Sequence, residues 1–165
     1  YGQKDTMTTA NLLHTRAIKK KIKTIGVDVI GLGAGIVDRL NEMSGGAYIV
    51  YAINSSAASR QSDKYYNLRA EMWDGAAIKF DEGDVVLTSC DHVLRGQLCS
   101  PKYEFRGTKM IVEGKDKIKQ RLGRSPDRAD TYIMGLYLYD LATPDGPTVR
   151  TLYRPRTRQV SAMAC

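Results

Sequence analysis

The spacing of apolar positions changes several times along the chain, and each change marks an element. Residues 5–22, DTMTTANLLHTRAIKKKI, place Leu12, Leu13, Ala17 and Ile18 at helical intervals with the lysine run on the other face. With Asp5 and Thr6 as caps, they predict an amphipathic helix. TIGVDVI, residues 24–30, is a short β-branched run of the kind that fills buried parallel strands. GAGIVDRLNEM predicts a helix over about 34–43 and GAYIVYAIN a strand over 46–54. Helix, strand, helix, strand in that order predicts an α/β layer fold with right-handed crossovers.

Beyond the polar loop SSAASRQSDK, the segment YYNLRAEMWDGAAIKF sets Leu68, Met72, Ala76 and Phe80 on one stripe, a helix over about 66–81. VVLT, 85–88, reads as a brief strand, and DHVLRGQLC, 91–99, as one or two helical turns ended by Pro101. YEFRG and TKMIVEG alternate around Gly107 and predict an antiparallel hairpin with strands near 102–106 and 109–113. KDKIKQRLG is a basic turn of helix. SPDRADTYIMGLYLYDLA predicts a helix over about 126–142, with Ser125 as cap, Pro126 at the first helical position and acids in the first turn. Tyr132, Ile133, Leu136, Tyr137 and Leu138 are its expected core face. From Thr143 the chain loses periodicity and is expected to be an extended tail or docking strand, which divides it into a domain over 1–142 and a tail over 143–165.

Composition narrows the function without naming it. A chain of 165 residues with 42% hydrophobic content is one ordinary domain. A formal charge of +7 and a pI near 9.3 favour a polyanionic partner, nucleic acid above all. Cys90, Cys99 and Cys165 form no CxxC pair, and no His stands at zinc-ligand spacing, so neither a disulfide framework nor a structural zinc site is expected. His14 has no partner at ligand spacing and reads as a surface or packing residue. No apolar run suggests a membrane span and the first residues do not resemble a signal peptide, so a soluble, cytosolic protein without a membrane partner is expected.

The chemistry centres on GVDVIGLGAGIVDRL, residues 26–40. A glycine-rich turn between a strand and a helix suits a dinucleotide, but the third glycine of that motif would fall at position 36, which is Ile36. The second strand also ends in Asn54 rather than an acid, and no Gly-Lys-Ser/Thr follows to make a P-loop. Against these readings stands Asp28, a carboxylate inside an apolar strand, where it needs a partner. Asp127 and Asp130 open the last helix and share a face. Carboxylates from distant segments can hold a hard divalent cation while leaving positions open for water and phosphate. Helix-dipole compensation is the plainer reading of Asp127 taken alone. Lys115, Lys117, Lys119, Arg121, Arg124 and Arg128 lie before or within the start of the acidic helix, where they could grip backbone phosphates or simply form a solvated face.

GVDVIGLGAGIVDRLNE, YYNLRAEMW and EGKDKIKQRLGRSPDRAD, in that order, resemble the C-terminal nuclease domain of the large terminase subunit of tailed bacteriophages, over about residues 5–141. The resemblance implies an α/β fold, an RNase H-like mixed sheet flanked by helices. It also implies an endonuclease that cuts concatemeric double-stranded viral DNA with two magnesium or manganese ions. By position it makes Asp28 and Asp127 metal-binding catalytic acids, with Asp130 an additional ligand. Beside such a site the basic run supplies the expected DNA-binding residues, Lys115, Lys117, Arg121, Arg124 and Arg128. Its implied partners are a terminase ATPase domain, the portal and the small terminase subunit, in the host cytoplasm. The family's first catalytic aspartate lies on a hairpin that precedes the helix at 5–22, so the chain is expected to be a fragment lacking the first strands of its sheet. That leaves a catalytically incomplete DNA-binding or packaging-motor interaction module as the alternative.

Overall fold

The computed structural model describes residues 5–87 and 91–143. The expected tail, from 144 onward, and Cys90 and Cys165 with it, lie outside the described residues.

Helix α1, Thr6–Lys20, begins where the Asp5 carboxylate accepts the Thr8 N–H at 2.8 Å and stops at Lys21, which closes it in the left-handed conformation. Strand β1, Thr24–Asp28, runs parallel to β2, Ile49–Ile53, with Asp28 opposite Ile53, and α2, Gly33–Ser44, makes the crossover. The period of two divides β1 between its faces. Ile25 and Val27 join Ala10, Ala17, Val37, Leu40 and Tyr48 in a core under α1 and α2. Gly26 faces the other way, so close to α6 that a Cβ there would stand 3.1 Å from the Leu138 side chain. Asp28, two residues on, opens to that same side at the carboxyl end of the strand. His14 packs as expected, its Nδ1 2.9 Å from the Tyr48 hydroxyl, whereas Ile18, assigned to the apolar stripe, is 49% exposed.

The second core holds Ile53, Tyr65, Leu68, Met72, Trp73, Ala76, Val112 and Ile133. It is built by α3, Leu68–Glu82, and α6, Asp127–Ala142, which pack on each other while α6 also crosses β1. Asn67 caps α3 by accepting the Ala70 N–H at 3.0 Å. Lys79 and Asp140 tie α3 to α6 at 2.9 Å. Of the expected core face of α6, Ile133 is fully buried, Leu136, Tyr137 and Leu138 are partly buried against this core, and Tyr132 stacks on Phe80 with ring centres 6.3 Å apart. The molecule is therefore layered, with α1 and α2 on one face of the parallel pair and α3 and α6 on the other.

Between α3 and α6 come α4, His92–Leu98, the antiparallel hairpin β3, Tyr103–Arg106, and β4, Lys109–Val112, and then α5, Lys115–Leu122. The described strands thus form two two-stranded sheets. β4 also touches the segment before α3, where Tyr66 N–H donates to the Met110 carbonyl at 2.9 Å. The strand expected at 85–88 does not form over 85–87, where Val86 is 73% exposed with no neighbouring strand among the described residues, and Thr88 is outside them. β-branching alone does not make a strand without a partner to pair with.

The start of α6 also differs from expectation. Pro126, rather than Ser125, occupies the capping position, because the Ser125 hydroxyl donates to Asp127 Oδ1 at 2.6 Å instead of accepting from the helix. The free N–H groups of Arg128 and Ala129 donate to Oε1 of Gln97, a buried side chain from α4, at 3.0 and 3.2 Å. Among the described residues no helix is long and apolar enough to cross a membrane.

Candidate metal centre

The turn that follows β1 fixes Asp28. Ile30 N–H donates to Asp28 Oδ1 at 3.0 Å, Gly31 takes a φ of +83°, and Gly33 starts α2 pressed on the strand end. A Cβ at position 33 would sit 1.8 Å from the Asp28 carbonyl oxygen, so only glycine lets α2 approach this closely. Gly31 and Gly33 are thus accounted for by the backbone path beside Asp28, whereas a Cβ at Gly35 would meet nothing within 4 Å.

Asp28 lines a cavity of about 10 Å³ together with Ser55, Arg69, Met72, Trp73, Lys115, Asp130, Ile133 and Met134. The carboxyl end of β1, the first two turns of α3, the start of α5 and the first two turns of α6 converge there. Asp130 is nearly enclosed, with 13% of its side chain exposed. Its Oδ1 lies 3.4 Å from Arg69 Nη2, and its Oδ2 lies 3.2 Å from Lys115 Nζ. The lysine is close enough to pair electrostatically but is not aligned as a hydrogen-bond donor, so Oδ2 is a buried oxygen with no hydrogen-bond partner. An acceptor left this way is costly unless something cationic or protic uses it.

Asp127 stands apart from Asp28. It is exposed and lines a separate groove of about 400 Å³ with Asp91, Leu94, Arg128, Thr131 and Tyr132. Three positions on a helix are a turn of about 60° and a rise of about 4.5 Å. Here that is enough to send one acid inward and the other outward. The expected convergence of Asp28 with the opening acids of the last helix is therefore made by Asp130 and not by Asp127.

The expected basic residues divide three ways. Lys115 is in the cavity; Arg121 bonds the Ser100 carbonyl and the Glu113 carboxylate at 2.7 and 2.6 Å, and Arg128 pairs with Asp91 at 2.8 Å. Lys117, Lys119 and Arg124 are exposed. Arg121 holds the Glu113 carboxyl below its usual range, and the Leu94 N–H, with Arg128 behind it, does the same for Asp91.

Sequence reasoning missed Ser55, Arg69 and Trp73 in the cavity and Gln97 beneath α6. Arg69 and Trp73 stand in YYNLRAEMW, a block that carried the family resemblance without an assigned task. Four residues apart, they are on one helix face, which was the available signal.

Hard divalent cations take oxygen ligands and keep several waters. The carboxylates of Asp28 and Asp130, the latter with a buried oxygen held only by its ion pair with Lys115, suit one such ion. Among the described residues no group of three or more His, Cys, Asp and Glu side chains comes together, so a second ion would find no third carboxylate among them.

An acid at the carboxyl end of a parallel strand, faced by an acid from a helix crossing that strand, sits here in a layered α/β frame of the RNase H-like class. Among the solved structures this chain is similar to are nuclease domains of a large terminase subunit. One is the nuclease domain of the large terminase subunit gp2 of bacterial virus Sf6, with a TM-score of 0.62 and 20% identity over 76% of this chain and 69% of that one. A mutant of that domain with manganese and beta-thujaplicinol gives a TM-score of 0.63 and 19% identity over 79% and 72% of the two chains. A mutant with calcium gives 0.63 and 20% over 80% and 72%. At such identity the likeness establishes the fold. No protein-family model matches the chain, and no curated protein matches it by sequence.

Proposed function

We propose that this chain is the nuclease domain of a phage DNA-packaging terminase, a metal-dependent endonuclease that cuts double-stranded viral DNA. The observation that carries the reading is the meeting of Asp28 and Asp130 in one cavity at the carboxyl end of β1. Asp28 is anchored there by the Ile30 N–H, and one buried oxygen of Asp130 makes no hydrogen bond and is paired only with the Lys115 ammonium. These two carboxylates would hold magnesium or manganese, which when bound supplies a Lewis acid that activates water and offsets phosphodiester charge. Lys115, with 45% of its side chain exposed, can turn from Asp130 to a phosphate oxygen at the mouth. The exposed Lys117, Lys119 and Arg124 would contact the DNA backbone, which positions the duplex without reading its sequence. A terminase ATPase domain, the portal and the small subunit are the partners this role would require, in the host cytoplasm.

Supercoiled plasmid incubated with the protein and manganese tests the reading. Asp28→Asn and Asp130→Asn are each expected to slow nicking by about 100-fold or more, the loss of several kcal/mol of transition-state stabilisation. Parental rates in both variants, or no manganese-dependent cleavage by the parent, would contradict it. The two cations on Asp130 favour a second reading, a DNA-binding module of the packaging motor with structural carboxylates. It predicts salt-sensitive DNA binding without cleavage.

A further inference from the structure

Asp130 is approached by two cations, and their anchoring differs. Lys115 reaches Oδ2 from the first residue of α5, on a flexible and half-exposed stem. Arg69 is 12% exposed and is held at its backbone and at one end of its guanidinium. Its backbone N–H donates to the Ser55 carbonyl at 2.9 Å, within the first turn of an α3 capped by Asn67. Its Nη1 donates to the Glu113 carbonyl at 2.7 Å, in the short link between β4 and α5, and its guanidinium carbon lies 5.7 Å from the centre of the Trp73 ring.

The two bonds of this guanidinium are unequal. The one to the Glu113 carbonyl is as short as a charge-assisted bond becomes, whereas the one to Asp130 Oδ1 is long at 3.4 Å. The carbonyl therefore places the arginine, and the arginine in turn orients the carboxylate. A planar fork held at one nitrogen has little freedom at the next. It occupies Oδ1 and leaves Oδ2 buried with no aligned hydrogen-bond donor, paired only electrostatically with Lys115 at 3.2 Å, beside an Arg69 Nε that is likewise buried and without a hydrogen-bond partner. A carboxylate has lone pairs enough to serve a guanidinium through one oxygen and a metal through the other.

We infer that Arg69 is the positioning residue of the metal centre: it holds Asp130 by Oδ1 so that Oδ2 is presented as a metal ligand. The inference rests on the nuclease reading above and gives the YYNLRAEMW block its task. A buried ion pair kept only for stability could be replaced by apolar side chains of similar volume, often without loss. Such a pair could not aim an oxygen. Outer-shell partners of this kind typically change metal affinity by about 10–100-fold when removed. Arg69 is also a cation, and were repulsion its main effect, removing it would tighten metal binding instead. The sign of the change separates the two roles.

Trp73, the single tryptophan of the chain, lines the same cavity and reports on it directly. Manganese is paramagnetic and quenches a nearby indole, so titration with manganese chloride measures occupancy without any cleavage. In the parent, quenching is expected to saturate and to be lost in Asp28→Asn. In Arg69→Met, with its melting temperature measured alongside as a control for folding, the manganese concentration at half-quenching is expected to rise about 10-fold or more. Arg69→Lys keeps the charge but not the fork and is expected to fall between parent and Arg69→Met. An unchanged or lower half-quenching concentration in folded Arg69→Met would overturn the assignment. If that variant does not fold, Arg69→Lys decides: a weakened affinity supports positioning and an unchanged one overturns it. Absence of Asp28-dependent quenching in the parent would instead remove the metal centre itself, a failure of the nuclease reading that is visible before any Arg69 variant is made.

Discussion

Asp127 and Asp130 lie three positions apart at the start of α6 and have opposite surroundings. Asp130 is almost enclosed, held by Arg69 and Lys115 and facing the cavity of Asp28. Asp127 is exposed, takes the Ser125 hydroxyl at 2.6 Å and borders the open groove beside Asp91 and Arg128. Both complement the helix dipole equally well. The difference comes from how α6 crosses β1: with Ile133 in the core and Leu138 against Gly26, the face through Asp130 is turned to the end of the strand. A carboxylate at this helix start becomes a candidate metal ligand through what the neighbouring elements bring to it, and only the inner one receives Asp28.

The sharpest way to break this contrast is activity. Asp127→Asn is expected to cleave within about threefold of the parent, against the loss of about 100-fold or more expected for Asp130→Asn under the same manganese assay. Equal losses would mean that the outer acid also serves the reaction. Next in size is the turn that presents Asp28. Gly33→Ala puts a methyl group 1.8 Å from the Asp28 carbonyl, whereas a Cβ at Gly35 meets nothing within 4 Å. Chemical denaturation is expected to show Gly33→Ala destabilised by about 3 kcal/mol and Gly35→Ala unchanged to within about 0.5 kcal/mol.

A smaller effect is expected from Gln97, which caps the helix start shared by both acids. Gln97→Ala leaves the Arg128 and Ala129 N–H groups without their acceptor and should lower stability by about 1–2 kcal/mol, read as a shifted denaturant midpoint at unchanged slope. The smallest concerns the outer groove and pH. The Asp91 carboxyl is held below its usual value, chiefly by the Leu94 N–H, so its contribution to stability is present above the ordinary carboxylate pKa. That contribution is lost as pH falls through the lowered value. Unfolding measured across the acid range should show a shallower decline for Asp91→Asn than for the parent, and an identical decline would place the acid sensitivity elsewhere.

Much of this frame was legible in the pattern of residues. α1, β1, α2, β2, α3, the hairpin and α6 form within a few positions of where periodicity and caps put them, because each has a strong local signal. Asp28 was legible as an acid out of place in an apolar strand. Local signals failed where a partner decides the outcome. Val85 and Val86 have strand propensity but no strand beside them among the described residues, and Ser125 has a capping side chain that Asp127 draws away. The choice between Asp127 and Asp130 depends on the rotation of α6 against β1, which no spacing within α6 encodes. Arg69 and Gln97 act across elements distant in sequence, and neither stands out by composition.

The central claim is that Asp28 and Asp130, brought together at the end of β1, bind the divalent ion. Crystals of the protein soaked in manganese and measured at the manganese absorption edge test it most directly. An anomalous peak between the two carboxylates, with none beside Asp127, is the predicted result; a peak in the Asp127 groove with the inner cavity empty would contradict it.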